Sequence, residues 1–101
     1  MEEEPTRTLS ILVENHFGVL FNITGLFSAR GYNIERLAVF PDVEPGLSRI
    51  VMVARCNPQL SGQIIKQLHK LVDVVEAEDV TEKKEDYSWP TFTTKKMQHQ
   101  A

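Results

Sequence analysis

The residues of this chain with the best claim to chemistry lie in one short stretch, Asn15-His16-Phe17-Gly18, followed at once by Val19 and Leu20. Gly18 stands directly ahead of an apolar helical pattern, so the backbone N–H groups of Gly18, Val19 and Leu20 are donors at a helix start. Such donors, helped by the helix dipole, suit a small anion such as a carboxylate. A glycine at 18 leaves no side chain between backbone and ligand. Asn15 adds an amide that can donate to a carboxylate and accept from an ammonium. The plainer reading has Asn15 and Gly18 making a tight turn and starting the helix. Local chemistry leaves both readings open.

The other reactive groups are scattered. His16, His69 and His99 fall in the turn, on a helix and in the C-terminal tail, so no nucleophile–base pair is expected and no catalytic residue is assigned. His16 has no orienting carboxylate evident near it in the sequence, which weakens it as a ligand contact, and His69, beside Lys70, is expected at the surface. The single cysteine, Cys56, can form neither an internal disulfide nor a multi-cysteine metal site. It fits a reducing compartment and reads as a small apolar residue at a strand end. No metal site is expected.

The elements that must hold the turn follow from hydrophobic period. Residues 8–14 (TLSILVE) place Leu9, Ile11 and Val13 on one face of a strand. After the turn, Val19, Leu20, Ile23, Leu26 and Phe27 fall on one stripe of a helix over residues 19–30, stopped by Gly31. Residues 34–40 and 47–55 read as two strands of an antiparallel hairpin, because two prolines and a glycine lie between them. Asn57-Pro58 opens a second helix carrying Leu60, Ile64, Leu68 and Leu71, and residues 72–80 (VDVVEAEDV) read as the last strand.

The order βαββαβ predicts an α+β, ferredoxin-like fold: a four-stranded antiparallel sheet with both helices on one face. Residues 8–80 form that domain, residues 1–7 an N-terminal extension, and residues 81–101 a C-terminal tail expected to be flexible. The tail opens on a charge run, Glu82-Lys83-Lys84-Glu85-Asp86, and carries Tyr87, Trp89 and Phe92. The third strand has aliphatic side chains on both parities (Ile50, Val51, Met52, Val53). A second copy of the chain is the simplest cover for the sheet's bare face, so a homodimer or larger assembly is expected.

This outline is shared by several function classes, and the residues separate them. A phosphatase of the acylphosphatase kind wants an arginine after the first strand, and residues 15–22 contain none. A soft-metal carrier wants Cys-x-x-Cys there, and the stretch has no cysteine. A single-strand RNA binder wants aromatic platforms on the first and third strands, and neither has one. The formal net charge of -3 provides no basic field for nucleic acid. No apolar run approaches the roughly 20 residues that span a bilayer, and the acidic N-terminus is unlike a secretory signal. A cytoplasmic protein with no nucleic-acid or membrane partner is expected. At 101 residues, with 42% hydrophobic and 25% charged residues, the chain has the composition of one globular domain.

The string Glu14-Asn15-His16-Phe17-Gly18-Val19-Leu20, then Gly25-Leu26-Phe27-Ser28-Ala29-Arg30-Gly31-Tyr32-Asn33-Ile34-Glu35, then Leu47-Ser48-Arg49, closely resembles the ACT domain of acetolactate synthase (acetohydroxyacid synthase) small regulatory subunits. The later Lys66-Gln67-Leu68-His69-Lys70-Leu71-Val72-Asp73-Val74 also resembles that family's second helix and last strand. The resemblance implies a feedback sensor for branched-chain amino-acid synthesis rather than an enzyme. In that family ACT domains pair side by side, valine binds where two copies meet, and the regulatory subunit activates the catalytic subunit and confers inhibition on it. Carried over, the ligand site would use Asn15, Gly18, Val19 and Leu20 of one copy with Asn33 and Ile34 of its neighbour. Thiamine diphosphate, flavin and magnesium belong to the catalytic subunit, so no cofactor is expected here. Asn22 departs from the family, which often has a basic residue there, and Phe21 occupies a position usually small or polar. An ACT module that binds another amino acid for another enzyme or a transcription factor, and a structural activator without a ligand, are the alternatives.

Overall fold

A computed structural model describes residues 5–16 and 18–83. The first strand, β1 (Thr6–Glu14), puts Leu9, Ile11 and Val13 into the core by strict alternation. Helix α1 (Val19–Ala29) follows, burying Val19, Ile23 and Phe27. Its C-terminus is a Schellman motif: the Tyr32 N–H donates to the Phe27 carbonyl at 2.9 Å, the Gly31 N–H donates to the Ser28 carbonyl at 3.1 Å, and Gly31 has φ of 75°. The Phe27 and Tyr32 rings meet edge to face at 5.6 Å, which completes the stop and delivers the chain into β2 (Asn33–Pro41).

A loop through Pro45 and Gly46 returns the chain as β3 (Leu47–Arg55). Helix α2 (Pro58–Leu68) starts on an Asn57 cap whose side chain accepts the Leu60 N–H at 2.7 Å. The last strand is β4 (Val74–Asp79), and one short 3-10 turn, Thr81–Lys83, follows it. The sheet order is β2-β3-β1-β4, antiparallel throughout, as the βαββαβ order predicts. Ile11 lies opposite Ile50 and Leu9 opposite Met52, and these side chains close the core against Ile23, Phe27, Ile64 and Leu68. α1 lies toward β2 and α2 toward β4.

Three details differ from the sequence reading. The last strand begins at Val74 rather than at residue 72, because residues 71–73 are spent on a turn in which the Val74 N–H donates to the Leu71 carbonyl; Val72 is left 91% exposed. Val51 is buried within the single chain although it lies on the face without helices. Arg49 explains this: its guanidinium donates to Ser10, directly opposite Val51, and to Asp42, and so reaches over that part of the sheet. The 3-10 turn also belongs to the folded body, since Thr81 accepts the Thr8 N–H at 2.8 Å. Tyr87, Trp89, Phe92 and the rest of the tail from residue 84 lie outside the described residues.

Candidate functional site

The turn that joins β1 to α1 is anchored at its start. The Asn15 N–H donates to the Gly46 carbonyl at 2.9 Å, and the Glu14 N–H donates to the Asp73 carbonyl at 2.9 Å. These bonds tie the end of β1 to both neighbouring strands' approaches. Gly18 is the helix N-cap with φ of 89°, a left-handed conformation that an L side chain adopts only under strain, and it provides no side-chain cap. The Asn15 side chain is exposed and makes no hydrogen bond among the described residues.

The remaining site candidates divide by what their atoms do. Val19 is a core residue, and its N–H already donates to the His16 carbonyl at a long 3.3 Å. Leu20 is 39% exposed and Phe21 is 78% exposed, both at the start of α1. Asn33 is exposed at the first position of β2, and Ile34 packs against the core, which leaves chiefly its backbone for a ligand.

The fold does not bring these residues together within one chain. Asn33 lies opposite Arg55, which lies opposite Thr6, so Asn33 is level with the beginning of β1. Asn15 follows the end of β1, nine residues further on, or about 30 Å by strand rise. By contrast Pro41, the last residue of β2, pairs with Ser48 next to the Glu14 end. Each copy therefore presents Asn15 and Gly18 at one end of the sheet and Asn33 and Ile34 at the other.

One neighbour of the turn escaped the sequence reading. His16 does have orienting carboxylates: its Nε2 lies 2.7 Å from Glu14 Oε1 and 3.7 Å from Asp73 Oδ1. Glu14 was within reach of sequence reasoning, since residues two apart at a strand end share a side. Asp73 arrives only because β4 pairs with β1. His69, as expected, is exposed at the C-cap of α2. Cys56 is buried, and burial pushes its thiol above the ordinary range, which fits an inert packing role. A small pocket of about 80 Å³, lined by Val19, Ile23, Leu71 and Val74 among others, lies on the β4 flank of α1.

The model of the AHAS small subunit-like ACT domain matches residues 9–76. The chain is 49% identical over 74 residues to the acetolactate synthase isozyme 3 small subunit of Escherichia coli, a match covering 73% of this chain and 45% of that protein. Among solved structures it resembles the acetolactate synthase small subunit of Thermotoga maritima, with a TM-score of 0.71 and 37% identity over 74% of this chain and 47% of that one. The ACT domain of a GTP pyrophosphokinase from Chlorobium tepidum superposes with a TM-score of 0.63 at 19% identity, covering 75% of this chain and 97% of that one, and shows the shared fold alone. The chain spans about half the length of the curated relatives it matches. With the βαββαβ architecture, the Gly18 helix start and this family match in hand, the chain belongs to the AHAS small subunit-like ACT domains.

Proposed function

We propose that this chain is a regulatory, non-catalytic module of an acetolactate synthase, binding valine or a close branched-chain relative where two copies meet and passing that signal to a catalytic subunit. The observation that carries the two-copy reading is the separation of Asn15 from Asn33 along the sheet. A two-fold pairing of β2 with β2 runs the strands antiparallel and sets the start of one β2 beside the finish of the other. Asn33 and Ile34 of the neighbour then approach the end of the sheet that carries Asn15 and Gly18.

The edge itself supports this arrangement. β2 is an outer strand, and its Leu37 and Val39 side chains are 38% and 46% exposed. An outer strand with exposed aliphatic side chains is a template for another strand. A ligand carboxylate takes the Gly18 and Leu20 amides, and can displace the weak 3.3 Å bond of the Val19 N–H. The ammonium takes the Asn15 amide oxygen or a carbonyl of the neighbour. The aliphatic side chain of the ligand lies near Leu20.

Calorimetry of the full chain with valine, leucine and isoleucine, followed by mixing with an acetolactate synthase catalytic subunit, tests the proposal. Saturable valine binding and a valine-dependent change in the activity of the mixture are expected. Binding without any effect on the catalytic subunit would instead favour an ACT module serving another enzyme. Activation without ligand binding would favour a purely structural activator.

A further inference from the structure

We propose that Glu14, His16 and Asp73 form a binding site for a divalent transition metal of the zinc class, at the point where β1 passes into the turn before α1. The three side chains offer one ligand atom each, and those atoms all lie within 4.8 Å of one another. The two shorter spacings are 2.7 Å from His16 Nε2 to Glu14 Oε1 and 3.7 Å from His16 Nε2 to Asp73 Oδ1. Donors that share a cation at about 2.1 Å stand roughly 3.0–3.4 Å apart in octahedral or tetrahedral geometry. These two spacings straddle that range and the two carboxylates lie within 4.8 Å of each other, so side-chain rotations that draw the carboxylates together complete the set.

Two independent features favour a cation there over a plain ion pair. The backbone under the donors is clamped: Glu14 donates to the Asp73 carbonyl at 2.9 Å and His16 donates to the Glu14 carbonyl at 2.8 Å, so the three donors are held at fixed origins without a ligand. Neither carboxylate has an ion pair to an arginine or a lysine among the described residues. Among the described residues the ion pairs of Glu14 and Asp73 run to His16 alone, whereas Asp42, Glu78, Asp79 and Glu82 each lie against an arginine or a lysine. The two carboxylates carry the charge that one divalent cation balances.

The donor set also states which cation. An imidazole nitrogen with two carboxylate oxygens suits zinc and its first-row neighbours, while magnesium prefers oxygen ligands only. Three protein donors leave coordination positions for water or for an oxygen or nitrogen of a bound small molecule. Because the His16 carbonyl accepts the Val19 N–H, a metal on the imidazole also steadies the first turn of α1. The proposal does not depend on amino-acid binding, and its test is separate.

Zinc(II) titrated calorimetrically into the full chain is expected to saturate at one ion per chain. His16→Ala and Asp73→Asn are each expected to lower the affinity at least about tenfold, while His69→Ala leaves it unchanged. Circular dichroism confirms that the variants remain folded, since His16 is exposed and Asp73 acts on the fold through its backbone carbonyl. The imidazole nitrogen signals of His16 should shift on zinc addition in the nitrogen-15 spectrum, and excess magnesium should not reverse the shift. Absence of saturable binding, binding that is equal in His16→Ala and Asp73→Asn, or full displacement of zinc by magnesium would each overturn the proposal.

Discussion

Arg7 Nε donates to Asp79 Oδ2 across 2.8 Å, joining the beginning of the first strand to the end of the last. Asp79 also accepts from Ser61 on α2 at 2.6 Å and from the Thr81 hydroxyl at 2.6 Å, so a single carboxylate ties two strands, a helix and the closing turn. Burial by itself would raise this carboxyl, but the hydrogen bonds from Arg7, Ser61 and Thr81 outweigh it and hold the pKa down to about 2. Between that value and the ordinary 3.8, the unfolded chain binds more protons than the folded one. The stability that Asp79 contributes is therefore complete above about pH 4 and is lost as pH falls through about 2. Asp79→Asn should cost about 1.5–3 kcal/mol at neutral pH, and should flatten the decline over that acid window. Urea unfolding of both proteins at several pH values checks this, and an equally steep acid decline in the variant would contradict it.

Asn15→Ala removes the hydrogen bond proposed to a charged ligand group and should weaken valine binding by about 1.5–3 kcal/mol, or roughly one to two decades. Gly18 needs a control, because its φ of 89° costs any L side chain about 1–2 kcal/mol of stability. No heavy atom lies within 4 Å of an added Cβ, so Gly18→Ala should pay that strain without a clash inside the chain and should weaken binding less than Gly18→Asp. Gly18→Asp should pay the same strain and lose binding, since it sets a like charge at the anion position. Calorimetry alongside thermal unfolding separates the two effects, and unchanged binding in both Asn15→Ala and Gly18→Asp would remove the proposed site.

Phe21 is 78% exposed, so Phe21→Ser should change the stability of the isolated chain by no more than about 0.5 kcal/mol. Valine binding should be kept or improved, because the substitution removes an exposed ring beside the turn and leaves the proposed anion site untouched. A large loss of binding would assign the ring to the ligand's own surroundings.

The full chain should sediment as a dimer or larger, and Val39→Lys should shift it toward an 11.5 kDa monomer while leaving its fold intact. A lysine at this position puts a charge on the outer strand, at the edge where the proposed strand pairing would form. Valine binding should fall with dimerisation in this variant. A dimer that survives Val39→Lys with full ligand affinity would place the interface elsewhere.

Truncation after Lys83 should leave cooperative unfolding unchanged, because the sheet, both helices and the Asp79 network are complete by that residue. Truncation after Val80 removes the Thr81 hydroxyl, which bonds both the Thr8 N–H and Asp79, and should cost about 1–3 kcal/mol. Thermal scans of the two shortened chains give the comparison.

Most of the architecture could be read from local pattern, because the period switches cleanly at Gly18, Gly31 and Asn57 and each switch has its own cap chemistry. The β2–β3 hairpin followed from two prolines and a glycine in its loop. The start of β4 was misjudged because Val72 continues the aliphatic run in sequence, whereas its position is decided by a turn that closes over Leu71. The site divides in the same way. Asn15 and Gly18 announce themselves by residue type, but the pairing of His16 with Asp73 and of Arg7 with Asp79 depends on strand register, which no local window contains.

The contacts at the Arg7 end of the sheet have a topological result. Pro5 accepts the Cys56 N–H, Thr8 donates to Thr81, and Arg7 lies 3.0 Å from Glu82, so the chain enters and leaves the domain side by side. The Gly18 turn is at the far end of β1. A circular permutant that joins residue 83 to residue 5 through a short linker and opens at the exposed Val43–Glu44 tip should therefore keep every strand pairing. Reporter domains attached at residue 5 or at residue 83 would likewise sit at the pole away from the Gly18 turn, whereas the Val43–Glu44 opening lies at the turn's own end, where the Gly46 carbonyl holds Asn15.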